Sequence, residues 1–280
     1  MRNNLEISQI QAAEKGGSQT LARAADVLKI VARAGPDGVR LTDLLPQLDL
    51  TRSTLHRIMQ SLEAIEYLER VPGTRRYRLG LELFTLAVQA ANPTGLLDLC
   101  RPGLLRLAAG TGDTVFLLVP QGYDAVCLDR IDGQFPIRAL TEGIGGRIPL
   151  GLGSGPLILL AYMPREVQEE ILSNNLSRLV GRTLSDEIEL RAALVKAREE
   201  GAMVFPRGIM FPAIGNVAVP LVDRQGNAVA AISITGISER FSEQRIKVML
   251  ALLRREKAEI EERLNPMDVR LLNQQRSRAS

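Results

Sequence analysis

A helix without acidic residues, followed closely by a basic turn, is the feature that most constrains the fold of this chain. Between positions 51 and 62 there is no Asp or Glu, although 24% of the whole chain is charged. Apolar residues recur at the spacing of one buried stripe on an α-helix, and they are Leu55, Ile58, Met59 and Leu62. The pattern predicts a helix that packs one face inward and exposes hydrogen-bond donors on the other.

The exposed face of this helix carries side chains typical of a helix that binds DNA. They are long or hydroxylated donors that reach phosphates and base edges in a major groove. The chain has a single histidine, His56, which fits a DNA contact or a cap better than a catalytic base. Thr51 is also a candidate N-cap, and Thr42 is the candidate cap of a shorter preceding helix. The candidate DNA-binding residues on the helix are Thr51, Arg52, Ser53, Thr54, His56, Arg57 and Gln60.

A basic turn between two short predicted strands follows the helix. The strands, at 67–70 and 77–79, flank the sequence PGTRR, which predicts a hairpin. Arg75 and Arg76 in this turn either solubilise it or bind phosphates or a minor groove, and the preceding helices favour the second role. Residues 18–80 carry ten Lys/Arg against seven Asp/Glu, an excess equal to the whole net charge of +3. The order of elements predicts a winged helix-turn-helix domain over 18–80 that binds double-stranded DNA.

The rest of the chain is predicted to hold a linker and a second domain. Residues 1–17 are polar and aperiodic, which predicts a flexible arm, and 266–280 is predicted to be a flexible tail. A helix over 81–93 is apolar on nearly all sides, so we expect a second copy of the chain to cover it. Residues 94–265 show an α+β pattern of amphipathic helices and strands, with strands predicted at 114–119, 125–131, 136–140, 203–205, 215–222 and 228–235. An antiparallel sheet flanked by helices suits a domain that senses a small ligand.

Two segments of the second domain are candidate contacts for a small-molecule effector. The glycine-rich bend GLGSG is expected to leave three backbone amides free at a helix N-terminus, those of Gly153, Ser154 and Gly155. The helix dipole favours an anion at this position. The alternative is that the glycines only allow the helix to pack closely. Ser233 and Thr235 alternate with apolar residues, so both hydroxyls lie on one face of a strand, as ligand contacts or satisfied core groups. No Lys or Arg is evident beside these segments, and a small organic acid or carbonyl metabolite is the expected effector. The candidate effector-binding residues are Leu140, Leu150, Gly151, Leu152, Gly153, Ser154, Gly155, Asn216, Ser233 and Thr235.

Composition bears on the remaining classes of protein. No apolar run approaches the ~20 residues that cross a bilayer, and the N-terminus lacks an apolar block followed by a cleavage site. We therefore expect a cytoplasmic protein with no membrane partner. Cys100 and Cys127 cannot form a metal site alone, and no cofactor is expected. Two alternatives stay open: a winged-helix module used only for protein–protein assembly, and, less favoured because no histidine follows His56, an enzyme acting through its C-terminal domain.

Several segments, taken in order, resemble one known family. They are SQTLARAADVLKIV, LTDLL, LTRSTLHRIMQSLEAIEYLER and RYRLG, followed by GRIPLGLGSGPLILLAYMP and NVAVPLVDRQGNAVAAISITG. This order resembles the IclR family of bacterial transcriptional regulators over about residues 18–264. The resemblance implies a winged helix-turn-helix joined by a helical linker to a GAF-like effector domain, acting as dimers or dimers of dimers on a palindromic operator. The chain departs from many members at the bend 151–155 and at Asn216, so the family's known ligands are not carried over.

Overall fold

The structure is a computed structural model that describes residues 19–91, 95–135, 143–179, 186–208 and 212–264. The expected arm 1–17, the expected tail 266–280 and the expected strand at 136–140 lie outside these residues. The chain divides into two compact units, Met1–Ala90 and Ala91–Ser280. Within the described ranges, no helix is long and apolar enough to cross a membrane.

The first unit contains four helices and three short strands among its described residues. The helices are α1 (Gln19–Arg33), α2 (Leu41–Leu44), α3 (Arg52–Ala64) and α4 (Leu81–Ala91). The strands are β1 (Val39–Arg40), β2 (Leu68–Arg70) and β3 (Arg76–Leu79). They pair in the antiparallel order β1-β3-β2, so β3 is the central strand and the turn between β2 and β3 is the wing.

One apolar core joins α1, α2, α3 and the sheet of this unit. The four predicted inward residues of α3 are all buried, which confirms the helical stripe. They pack with Val27 and Val31 of α1, with Leu44 of α2, and with Leu68 and Tyr77 of the sheet. The core fixes α3 and the wing relative to each other, because both are built on the same buried side chains.

The expected cap at Thr42 is wrong. The short helix α2 begins at Leu41, two residues earlier than a cap at Thr42 requires, so Arg40 occupies its N-cap position without a side-chain cap. The Thr42 hydroxyl instead donates to Asp43 Oδ1 at 3.2 Å. Strand β1 runs directly into α2, and this leaves no extended residue at position 42 to act as a cap.

The second unit contains five helices and six strands among its described residues. The helices are α5 (Leu96–Thr111), α6 (Ser154–Ala161), α7 (Arg165–Leu179), α8 (Glu187–Glu200) and α9 (Glu243–Arg263). The strands are β4 (Thr114–Gln121), β5 (Asp124–Ile131), β6 (Arg147–Pro149), β7 (Met203–Phe205), β8 (Ile214–Val222) and β9 (Ala228–Ile237).

A six-stranded antiparallel sheet in the order β6-β5-β4-β9-β8-β7 separates two apolar cores of this unit. Helices α5 and α9 cover one face, where Val217, Ile232 and Ile234 are fully buried. Helices α6, α7 and α8 cover the other face. The unit is therefore a three-layer α+β domain, and the candidate effector residues of β8 and β9 lie on the face of the sheet that α6 covers.

Candidate functional site

The N-terminus of α3 is fixed by a hydroxyl cap. Thr51 is extended, with φ −70° and ψ 152°, and its Oγ1 accepts a hydrogen bond from the amide of Thr54. The same hydroxyl lies 3.1 Å from the Ser53 hydroxyl and 2.9 Å from the Thr54 hydroxyl. This confirms Thr51 as the N-cap and directs three of the candidate DNA-binding hydroxyls to the first turn of the helix.

The remaining candidates of α3 form a polar face that is open to solvent. Arg52, His56, Arg57 and Gln60 are all exposed, while Thr54 is half-buried. Within the described part of the chain, no ion pair forms at Arg52 or Arg57. A positively charged helix face without acidic partners matches a nucleic-acid interface.

The arginines of the wing fall into two groups. Arg70 donates to Glu63 of α3, with Nε 2.9 Å from Oε1, and stacks over the Tyr77 ring at 5.3 Å from its centroid. That hydrogen bond to Glu63 raises the pKa of Arg70. Arg78 pairs with Glu69 of the neighbouring strand at 2.6 Å. These two guanidinium groups are neutralised by carboxylates and hold the sheet together rather than offering free charge.

Arg75 and Arg76, the two candidates of the wing, lack such carboxylate partners among the described residues. Arg75 is exposed at the end of the turn. Arg76 is half-buried, and its Nη1 donates to the carbonyl oxygen of Gly38 at 2.9 Å. The sequence did not predict this contact, which joins β3 to the turn before β1 and orients the Arg76 guanidinium.

In the second unit, the candidate effector residues of β8 and β9 lie in two adjacent rows across the sheet. The pairing registers place Thr114, Thr235 and Asn216 in one row. The next row contains Arg130, Phe116 and Ser233. Ser154, at the start of α6, lies over this region, with its hydroxyl 3.4 Å from the Ser233 hydroxyl. The structure thus brings Ser154, Asn216, Ser233 and Thr235 together in a mostly buried polar cluster.

The expectation of three free amides at the bend is wrong for Ser154. Its amide donates to Asn216 Oδ1 at 3.0 Å, so Asn216 joins the strand to the start of α6. This bond uses the Oδ1 acceptor of Asn216 and leaves its Nδ2 donors for other partners. The side-chain donors of the predicted set are therefore the hydroxyl groups of Ser154, Ser233 and Thr235 and the Nδ2 group of Asn216.

Gly151 and Gly155 of the bend allow close packing, whereas a Cβ atom at Gly153 would meet open space. A Cβ atom at position 155 would lie 2.4 Å from Leu118 Cδ1, so α6 approaches the sheet at a distance that only glycine allows. Gly151 and Gly153 have φ values of +102° and +81°, a conformation that favours glycine. The neighbouring Leu150 is fully buried in the core and Leu152 packs against it, whereas Leu140 lies outside the described residues.

Sequence reasoning missed Thr114, Phe116 and Arg130. Thr114 is buried and its hydroxyl donates to Asp132 Oδ1 at 3.3 Å. Arg130 lies over the Phe116 ring at 5.5 Å and its Nε bonds to Asp132 at 2.9 Å, which corrects the expectation of no Arg in this region. Alternation along β4 could have placed Thr114 and Phe116 on one face. The cross-strand register that joins them to Ser233 and Thr235 is a tertiary property.

The cysteines and the acidic residues do not form a reactive or metal-binding centre in the part of the chain that the structure describes. Burial raises the pKa of the Cys100 thiol to about 12 and that of Cys127 to about 11, with Asp129 adding to both shifts. Both thiols are therefore protonated at neutral pH and behave as small apolar side chains. The described residues contain no group of three or more His, Cys, Asp or Glu placed to hold a metal ion.

Comparison with known proteins identifies both units. Residues 20–72 match the family model described as the IclR helix-turn-helix domain, and residues 88–261 match that described as the bacterial transcriptional regulator IclR C-terminal domain. The chain is therefore a transcriptional regulator with an N-terminal helix-turn-helix and a C-terminal effector-binding domain. It belongs to the IclR family. Its relatives are regulators rather than enzymes.

Three relatives illustrate the match. The HTH-type transcriptional regulator BhcR of Paracoccus denitrificans is 30% identical over 239 residues, 85% of this chain and 84% of the relative. The HTH-type transcriptional repressor AllR of Escherichia coli K12 is 27% identical over 238 residues, 85% and 87% of the two chains. The solved structure of an IclR homolog from Microbacterium hydrocarbonoxydans, complexed with 4-hydroxybenzoate, has a TM-score of 0.75 and 26% identity, covering 90% and 99% of the chains.

Proposed function

We propose that this protein binds a palindromic DNA operator as a homodimer or dimer of dimers, and that a small organic acid or carbonyl metabolite changes its operator affinity. Repression is the mode of action, as in the E. coli relative AllR. A bacterial transcriptional regulator meets its operator DNA in the cytoplasm, and we place the protein there. The observation that carries the proposal is the exposed polar face of α3 over residues 52–60, which carries no acidic side chain and lies beside the wing.

Direct recognition of the operator is assigned to the exposed side chains of α3. Arg57 and Gln60 are one helical turn apart and extend from the same side of the helix, as bases along one groove require. Arg52 and Ser53, in the first turn, are placed to bind backbone phosphates. Arg75 at the wing tip adds a phosphate or minor-groove contact.

The test is operator binding by the full-length Arg57→Ala variant. A good base contact contributes about 1–3 kcal/mol of discrimination, so affinity for the operator should fall about five- to 150-fold while affinity for unrelated duplex changes less. Gel-shift titration against an operator selected from random duplexes provides the measurement. Arg70→Ala is the control, because Arg70 is bound to Glu63. Unchanged operator affinity in Arg57→Ala would remove this residue from the interface.

Dimerisation is assigned to α4. Leu81 and Phe84 are 73% and 65% exposed, and Leu86 is also exposed. Large apolar side chains so close together on one short helix are covered by a partner in a stable protein. A second copy satisfies this requirement, and it also supplies the second reading helix that a palindrome needs.

The same apolar surface supports a second candidate function, a winged-helix module used only for protein–protein assembly. The salt dependence of binding distinguishes the two functions. Affinity for DNA falls steeply as the salt concentration rises, whereas the affinity of an apolar protein–protein contact does not.

An organic acid as effector is supported by the chemistry of the polar cluster. The hydroxyls of Ser154, Ser233 and Thr235 can all donate to a carboxylate or a carbonyl oxygen. The cluster lies at the N-terminal end of α6, where the helix dipole favours negative charge. The Microbacterium homolog with 4-hydroxybenzoate bound shows that a protein of this family and fold accepts an aromatic carboxylic acid. These donors are neutral, and Arg130, in the same row as Ser233, is bound to Asp132, so the acid is held by hydrogen bonds rather than by a full ion pair.

A further inference from the structure

Two arginines lie directly opposite each other in the sheet of the first unit. Arg40 ends β1 and Arg76 begins β3, and their Cα atoms are register partners in the antiparallel pair. Side chains of directly opposed residues extend from the same face of a sheet, with Cβ atoms about 5 Å apart. The two guanidinium groups are therefore neighbours on the solvent side, since the adjacent pair Val39 and Tyr77 is buried on the core side.

Like charges at directly opposed positions destabilise a sheet unless something negative lies between them. The other two arginines of this sheet have such a partner, since Arg70 pairs with Glu63 and Arg78 pairs with Glu69. Among the described residues, neither Arg40 nor Arg76 forms an ion pair, although Asp37 is close in sequence. No carboxylate of the described residues therefore compensates the repulsion between them, in a sheet that neutralises its other arginines.

The arginine pair lies next to both DNA-binding elements of this unit, the wing and the helix-turn-helix. Arg76 is the first strand residue after the wing turn, and Arg40 immediately precedes α2, the first helix of the helix-turn-helix. The bond from Arg76 Nη1 to Gly38 O holds its guanidinium next to β1 and leaves the other donors of its fork unused. Arg40 is exposed. Two guanidinium groups on one face of the sheet match the geometry of a phosphate group, which accepts several hydrogen bonds at once.

We propose that Arg40 is a further DNA contact of this protein and that it binds, together with Arg76, one backbone phosphate of the duplex beside the wing. The inference rests on the proposed DNA-binding function and adds a residue outside α3 and the wing turn. The phosphate supplies the negative charge that the sheet lacks between the two arginines. Since every nucleotide carries this phosphate, the contact contributes affinity without sequence preference.

The experiment measures how salt affects binding of the full-length protein to a fluorescein-labelled duplex of mixed sequence. Each lost phosphate contact lowers the slope of log affinity against log salt by about 0.9. Arg40→Gln should lower it by that amount for each bound protomer. Arg78→Gln is the matched control, because it removes the same charge from the same face but from an arginine neutralised by Glu69. Arg40→Lys keeps the charge and should keep most of the slope.

The outcomes separate this inference from the proposed function. A smaller slope in Arg40→Gln, with Arg78→Gln like the unaltered protein, supports the contact. An unchanged slope in Arg40→Gln, or an equal fall in both glutamine variants, overturns it while leaving DNA binding intact. Failure of the unaltered protein to bind duplex DNA at low salt would instead contradict the proposed function.

Discussion

Thr51 and Thr42 show, at the scale of single residues, how local backbone decides which threonine caps a helix. Both precede a short helical pattern, and the sequence predicted a cap at each. Thr51 is extended, so its hydroxyl reaches the Thr54 amide. Thr42 is already inside α2, because the unpredicted strand β1 brings the chain into the helix two residues earlier than the predicted cap requires. The two-residue β1 has no alternating pattern of its own and exists through its pairing with β3.

Thr51→Ala should destabilise the first unit by about 1 kcal/mol, within the usual range of about 0.5–2 kcal/mol for the loss of an N-cap. The physical reason is the amide of Thr54, which loses its acceptor at the start of α3. Urea unfolding followed by circular dichroism measures the change. Thr42→Ala is the matched control and should leave stability nearly unchanged, since Thr42 is exposed and does not cap a helix. Equal effects of the two substitutions would contradict the assigned cap.

Ser233→Ala should weaken binding of the effector acid about two- to tenfold, which corresponds to a net hydrogen bond of about 0.5–1.5 kcal/mol. Ser233 is buried beside the Ser154 hydroxyl, where water cannot easily replace a lost donor. Calorimetry with 4-hydroxybenzoate and a panel of small carboxylates provides the measurement. Ser177→Ala, at an exposed position of α7, is the control. If an acid that binds the unaltered protein binds Ser233→Ala equally well, its site lies elsewhere.

At the scale of elements, the sequence predicts the helices and strands that have a regular apolar pattern, but it does not predict the strands that form only by pairing with a neighbouring strand. The buried stripe of α3 and the long strands β4, β5, β8 and β9 follow from apolar spacing, and they are confirmed. Strand β6, with the sequence RIP, carries no alternation and forms only because β5 offers it a partner. The register that joins Thr114 to Thr235 and Asn216 has the same origin. Thr114, Phe116 and Arg130, which the register places in the same rows as the polar cluster, therefore become visible only in the folded domain.

Phe84→Glu should prevent dimerisation, because a charge placed at the centre of the exposed apolar surface of α4 cannot be buried against a second copy without a partner. Sedimentation velocity measures the shift from dimer to monomer, and cooperative operator binding should be lost with it. Thr85→Glu is the matched control, since it adds the same charge to an exposed polar position of the same helix. A dimer that persists in Phe84→Glu at equal concentration would assign the interface to another surface.

At the scale of the whole molecule, the chain joins two units that each have their own apolar core. An acid bound in the second unit changes operator affinity only if it binds the free and operator-bound proteins differently. The two affinities are then linked, because the same coupling free energy governs both. The coupling can therefore be measured as the effect of the acid on operator affinity or as the effect of the operator on acid affinity.

The prediction is that an acid which lowers operator affinity tenfold also binds the operator complex tenfold more weakly than it binds the free protein. Calorimetric titration of the acid into free protein, and into protein saturated with operator duplex, gives the two affinities. Sodium chloride matched to the ionic strength of the acid is the control, because added salt alone weakens a protein–DNA complex. Equal affinities for the free and operator-bound protein would assign the loss of operator binding to salt, and the second unit would then have no effector role for that acid.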